Sequence, residues 1–211
     1  MNKLETRYIE ECEIRADGDE MATIVGYAAR FNKMSQDLGG FTEKIAKGAF
    51  KRSLGAGDDV RALVDHKPEM IVGRRSAGTL DVIEDTRGLK VTITPPDTTV
   101  GRDLVENIRL GNINQMSFAF RAVEEEWQHT SDKKPDVRTL KDVDLVDVSA
   151  VTYPAYLDTA LAVRSWEAWK AENRDVTSEV TNVTSEVASA EVELDHMNAE
   201  LDLLDATGSV V

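Results

Sequence analysis

The apolar residues of this chain change their rhythm near residue 170, and no single packed unit accommodates both patterns. Before that point several short stretches alternate with period two, as half-buried strands do. ATIVGYAARF (22–31) reads as a strand, with Gly26 marking a bulge or a close approach. GTLDVIED (78–85) alternates Leu80 and Val82 with polar neighbours. GLKVTIT (88–94) sets Leu89, Val91 and Ile93 on one face, and NQMSFAFRAV (114–123) does the same with Met116, Phe118 and Phe120. In KDVDLVDVSAV (141–151) the shared face carries Val143, Leu145 and Val151. Helical spacing appears twice. Ile45, Ala46, Ala49, Phe50 and Leu54 form one stripe; Val100, Leu104, Val105 and Ile108 form another, opened by Thr98 or Thr99 as N-cap and closed by Gly111. The polar stretch 124–138 reads as a hairpin or an exposed loop. Many strands with few helices predict an α+β domain, with a small barrel flanked by helices as the expected form.

After residue 170 the spacing is that of heptads. Val176, Val180, Val183, Val187, Ala190, Leu194, Met197, Leu201 and Leu204 follow one another at intervals of four and three, and VTSEV recurs one heptad apart. These 41 residues hold ten acids, one arginine and no aromatic, so about −9 of the chain's −14 net charge lies here. The expected organisation is a domain over 1–170 and an acidic heptad tail over 171–211. The two-position seam fits a coiled coil, giving self-association through 176–204; a single amphipathic helix packed on the domain is the alternative. Valine, threonine and serine lower helix propensity in its first half.

At 211 residues the chain is long enough to bury a core without metals or disulfides. Its acidity argues against nucleic-acid and anionic-membrane partners, which demand a basic surface. No apolar run approaches the roughly 18 residues of a membrane span, and the first twenty residues lack the apolar stretch of a signal peptide. Cys12 is the single cysteine, so an intrachain disulfide is excluded and a cysteine zinc site is not expected. No metal or cofactor is expected.

Three histidines could carry chemistry. His196 stands beside the heptad seam and His129 in the polar loop, both settings of solvated residues. His66 follows the apolar run Ala62, Leu63, Val64 and precedes Pro68, which places an imidazole at a strand end, where a base can be held rigidly. From spacing alone a structural role is the more ordinary reading of that position. Alternation sends Ser117 and Ala119 away from the Met116, Phe118, Phe120 face, beside room for a substrate, although strand serines are commonly structural. No Gly-x-Ser-x-Gly elbow is present. Asp147 falls in phase with Val143, Leu145 and Val151, an apolar face on which a carboxylate needs a partner. That partner is either an imidazolium or an arginine.

Taken in order, the motifs resemble the prohead proteases of HK97-type tailed phages, distant relatives of the herpesvirus assembly protease. The resemblance rests on GYAARFN (26–32) with EKIAKGAFKRSL (43–54), ALVDHKPEMIVGRRSAGTLDVIEDTRGL (62–89), GRDLVENIRLGNINQMSFAF (101–120) and VDLVDVSAVTYPAY (143–156). It implies a β-barrel core, and a serine endopeptidase in which His66 is base and Ser117 nucleophile. The closing motif often has Glu where this chain has Asp147, a side chain one methylene shorter. The herpesvirus relatives use a second histidine as third member, for which His129 is the candidate here. Arg74 and Arg75 are nearby cations that read as solvated. The implied substrates are the scaffold segment of the major capsid protein and the protease itself, cut inside the assembling prohead in the host cell cytoplasm. The alternative is a non-catalytic capsid assembly or scaffolding protein that works through its coiled coil.

Overall fold

A computed structural model describes residues 4–8, 14–17, 22–131, 134–153, 163 and 165–172. The chain divides into two units, Met1–Arg164 and Ser165–Val211. Of the second, residues 165–172 are helical, with the Lys170 ammonium 3.3 Å from the centre of the Trp166 ring one turn earlier. The heptad pattern over 176–204, and His196 with it, lies outside the described residues, as does Cys12.

The first unit is α+β and built mostly of strands. In chain order these are β1 (Glu5–Tyr8), β2 (Ile14–Asp17), β3 (Thr23–Arg30), β4 (Phe41–Ile45), β5 (Arg61–Val64), β6 (Lys67–Arg74), β7 (Leu80–Glu84), β8 (Gly88–Ile93), β9 (Gln115–Gln128) and β10 (Asp136–Val151). Helix α1 (Lys51–Gly55) falls between β4 and β5, and α2 (Thr99–Arg109) between β8 and β9. One sheet has the order β1-β9-β10-β5-β6 with β4 also on β10; the other runs β2-β3-β8-β7. One apolar cluster takes residues from both sheets, from α2 and from the N-cap of α1, including Ile24, Val91, Leu104, Phe50, Phe118 and Phe120. Phe118 packs edge-on to Phe50 at 5.5 Å and stacks on Phe120 at 5.1 Å.

The expected closed barrel is not what forms: the described strands make two separate sheets. The cause is β10. Its first part pairs in parallel with β4 (Asp136–Leu140) and its last part in parallel with β5 (Asp147–Ala150), so two strands share one side of it, end to end. Between them the α1 segment meets the backbone of β10. The Val143 N–H donates to the Ala49 carbonyl at 3.0 Å, and the Leu145 N–H to Ser53 Oγ at 3.0 Å. The sheet lengthens along β10 rather than curling shut.

One local expectation also changes, and of the two readings of 124–138 the hairpin is the one that forms. Ile45 ends a strand, and the helix there begins only at Lys51, after a turn in which Gly48 takes φ 96°. The polar stretch 124–138 is largely strand: β9 and β10 form one long hairpin whose charges pair across it, Lys141 with Glu126 at 2.7 Å and Arg138 with Glu125. Helix α2 follows its signals, with Thr98 Oγ1 accepting from the Gly101 N–H at 3.2 Å and Gly111 at φ 75° past its end.

Candidate active site

Ser117 lies on β9 where alternation holds: Met116, Phe118 and Phe120 are buried in the apolar cluster, and Ser117 and Ala119 face the other way. β1 pairs antiparallel with this stretch, Tyr8 opposite Ser117, and leaves the serine 0 % exposed. The Ser117 hydroxyl reaches the Arg7 carbonyl at 2.9 Å and His66 Nε2 at 2.7 Å.

His66 stands in the turn between β5 and β6 rather than on either strand. The turn is two residues long, and both take positive φ, 50° for Asp65 and 55° for His66. Hairpins of this length favour such a pair because it matches strand twist, and Asp and His tolerate it better than bulkier residues. The Asp65 carboxylate secures the turn, accepting from the Thr152 N–H at 2.8 Å and the Thr152 hydroxyl at 3.2 Å; its own N–H donates to the Ala150 carbonyl at 3.0 Å. Pro68 is tolerated because β6 is the outermost strand of its sheet.

Asp147 reaches the site through a β-bulge. Leu145 pairs with Phe120 but Asp147 with Ala119, so Val146 is an extra residue on β10. Beyond it the alternation inverts: Asp147 and Ser149 share the face of Ala119 and Ser117, while Val148 joins Phe118. The carboxylate thus avoids the apolar face on which strict alternation would set it. It lies nearly buried, with Oδ1 at 2.6 Å from His66 Nδ1.

The three side chains form one line, Asp147 to His66 to Ser117, with both contacts at hydrogen-bond distance. Nδ1–H given to the carboxylate leaves the Nε2 lone pair for the serine proton. Ser149, which motif reading had passed over, joins the line from the side. Its hydroxyl donates to Asp147 Oδ1 at 2.9 Å, lies 3.2 Å from His66 Nδ1 and accepts from the His66 N–H at 3.3 Å. Its cue was its phase, two residues after Asp147 on one strand face.

The other candidates lie elsewhere. His129 follows the far end of β9 and pairs with Asp136 at 2.8 Å. Arg74 pairs with Asp59, which that guanidinium holds well below the usual carboxylate range. Arg75 is engaged rather than free in solvent, donating to the Leu54 carbonyl at 2.9 Å.

A second polar cluster joins β1 to β4 and β10, with Arg7 and Glu5 opposite Phe118 and Phe120 in the register. Glu5, Arg7, Glu43 and Arg138 are all buried, Arg138 to 1 % exposure. Burial pushes the Glu5 carboxyl up, but the Arg138 and Arg7 guanidinium groups outweigh it and hold it below its ordinary value. Burial acts to lower Arg138, and its carboxylate neighbours, Glu5 first, raise it above the ordinary arginine value instead. Glu5 and Arg138 are thereby held in their charged forms.

A serine, an imidazole and a carboxylate in one hydrogen-bonded line, with no metal needed, is the layout of the serine hydrolases. Comparison with known families gives the finer statement. The family described as caudovirus prohead serine protease matches residues 10–172, and the chain belongs to it. It is therefore a protease of phage capsid maturation, acting in the assembling capsid. Among solved structures, the capsid assembly protease of bacteriophage T4 is similar at 12% identity and a TM-score of 0.49, over 72% of this chain and 98% of that chain. No curated protein sequence matches the chain.

Proposed function

We propose that Ser117 is the nucleophile, His66 the general base and acid, and Asp147 the group that orients and charge-balances the imidazole. The observation carrying this reading is the unbroken line of contacts at 2.7 and 2.6 Å. In the acylation step Ser117 Oγ bonds to a peptide carbonyl carbon as its proton moves to His66 Nε2. The C–N bond then breaks, and the leaving amine takes that proton. Water, deprotonated by His66, cleaves the ester and returns the serine.

The substrates under this proposal are the scaffold segment of the major capsid protein and the protease itself, cut inside the prohead in the host cytoplasm. Self-cleavage is supported by β1, since the chain's own N-terminal strand lies against the serine. The acidic heptad tail serves to dock on scaffold helices or on a second copy. Co-expression of the capsid protein with wild type or Ser117→Ala, followed by mass measurement of both chains, tests the chemistry. Processing by wild type alone is expected, and identical fragments from the two would sink the assignment. Deleting 171–211 tests the tail: lower incorporation into proheads is expected, and unchanged incorporation removes the docking role.

A further inference from the structure

The contacts of β1 point beyond the nucleophile to what the enzyme selects. β1 lies antiparallel on the nucleophile strand, and the Arg7 carbonyl meets the Ser117 hydroxyl. An added strand with one carbonyl at the nucleophile is the way an extended peptide occupies a protease groove. Arg7 and Glu5 are two residues apart, so both side chains leave β1 on one face. Each ends in a two-pronged ion pair. Arg7 gives Nε to Glu43 Oε1 at 2.9 Å and Nη2 to Glu43 Oε2 at 3.2 Å. Glu5 receives Arg138 Nη1 on Oε2 at 2.8 Å and Nη2 on Oε1 at 3.1 Å.

We infer that Glu43 and Arg138 are specificity-determining residues. Glu43 takes a basic side chain at the residue whose carbonyl meets Ser117, and Arg138 takes an acidic one two residues earlier. This rests on Ser117 being the nucleophile.

Two observations separate this from a merely structural clasp. The selectors also hold each other, through Arg138 Nη1 to Glu43 Oε2 at 2.9 Å, and Arg138 Nε reaches Glu125 at 2.9 Å. These contacts do not involve β1, so they remain to hold Glu43 and Arg138 in place for another strand, while Glu43 Oε1 awaits a cation in place of Arg7 Nε. β1 moreover lies outside residues 10–172, the part that the family matches. Burying four charges is a costly way to fasten a four-residue strand. The same charges discriminate sharply between peptides, because a wrong residue leaves a buried ion without its partner.

The self-cut that follows is at Arg7–Tyr8. Ser117 Oγ bonds to the Arg7 carbonyl carbon, the Arg7–Tyr8 C–N bond breaks, and Tyr8 N takes the proton from His66. Water then frees residues 1–7 with a new carboxylate on Arg7. Until then the serine's single proton faces two acceptors, the Arg7 carbonyl and His66 Nε2.

The test uses the full chain with intact-mass detection, alongside peptides of the sequence 1–14 supplied in trans. Wild type releases residues 1–7 and Ser117→Ala retains them. Peptides with Arg7→Ala or Glu5→Ala lose about 10²-fold in kcat/KM, while Thr6→Ala loses little. In the enzyme, Glu43→Gln brings the Arg-over-Ala preference at position 7 close to one, a change that mere loosening of β1 does not produce. If Glu43→Gln fails to fold, the peptide series on wild type still decides. Release at another bond, or equal cutting of the unchanged and the Arg7→Ala peptides, overturns the proposal. So does a wild type that cuts capsid protein but keeps its N-terminus, and in that case the protease reading stands. Capsid protein cut equally by wild type and Ser117→Ala overturns both.

Discussion

The four-stranded sheet buries Ile24, Leu80, Val82, Leu89, Val91 and Ile93, whereas the six-stranded sheet buries Glu5, Arg7, Glu43, Arg138, Asp147, Ser117 and Ser149. Among the described side chains no charge of the first sheet is buried. The apolar sheet gains stability from area removed from water, a non-directional effect that tolerates modest rearrangement. Its partner holds ions and hydroxyls whose desolvation is recovered only if each meets its partner in the right place. The apolar cluster, to which both sheets contribute, supplies the cohesion that lets the six-stranded sheet keep an expensive, sharply defined arrangement.

The largest expected effect falls on chemistry alone. Asp147→Asn lowers kcat by about 10⁴-fold while the melting temperature stays close to wild type, because an amide supports the wrong imidazole tautomer. A comparable loss of stability would mean that Asp147 serves the fold instead. Next are two truncations, one in each sheet. Arg138→Ala costs about 3–5 kcal/mol by stranding buried carboxylates, and the damage concentrates in hydrogen exchange at residues 5–8. Leu89→Ala costs about 2–5 kcal/mol by opening a cavity, and leaves activity per folded molecule unchanged. Denaturant melts with residue-level exchange separate the two, and equal patterns would erase the contrast between sheets.

Ser149→Ala is smaller, about tenfold in kcat with KM unchanged, since its hydroxyl positions Asp147 and the His66 backbone without touching substrate. Rescue by Ser149→Thr distinguishes the hydroxyl from simple packing. The smallest effect is one of pH. Glu5 has a folded value below its unfolded one, so its contribution is complete above the usual glutamate range and lost as pH falls through the lowered value. Protection at residues 5–8 should fall in that window while residues 89–93 stay protected. Simultaneous loss at both would show that acid unfolds the domain as a whole.

The same contrast governs how much was legible in the sequence. Strands β3, β7 and β8 of the apolar sheet were readable because burial on one face imposes strict alternation, as in Leu89, Val91 and Ile93; the short β2 was not read. The phase of Ser117 was readable for that reason too. Asp147 was chosen through motif order, but its side of the strand was not readable, because a bulge at Val146 is invisible to a period-two pattern. The buried cluster was hidden because its members are distant in sequence, Arg138 lying 133 residues from Glu5 and 95 from Glu43. Arginines and glutamates taken one at a time look like surface. A barrel was expected from strand content, which carries no information on how β10 is shared between β4 and β5.

The extra residue at Val146 sets how far this domain stands from an inert one. Were Val146 to take the place opposite Ala119 in an unbroken ladder, Asp147 and Ser149 would turn to the side of Val143 and Leu145. His66 would then lose its carboxylate and, under the proposed chemistry, Ser117 its activation. A slip of one residue in the ladder, with no change of sequence, thus separates the assembled line from a silent copy of its own scaffold.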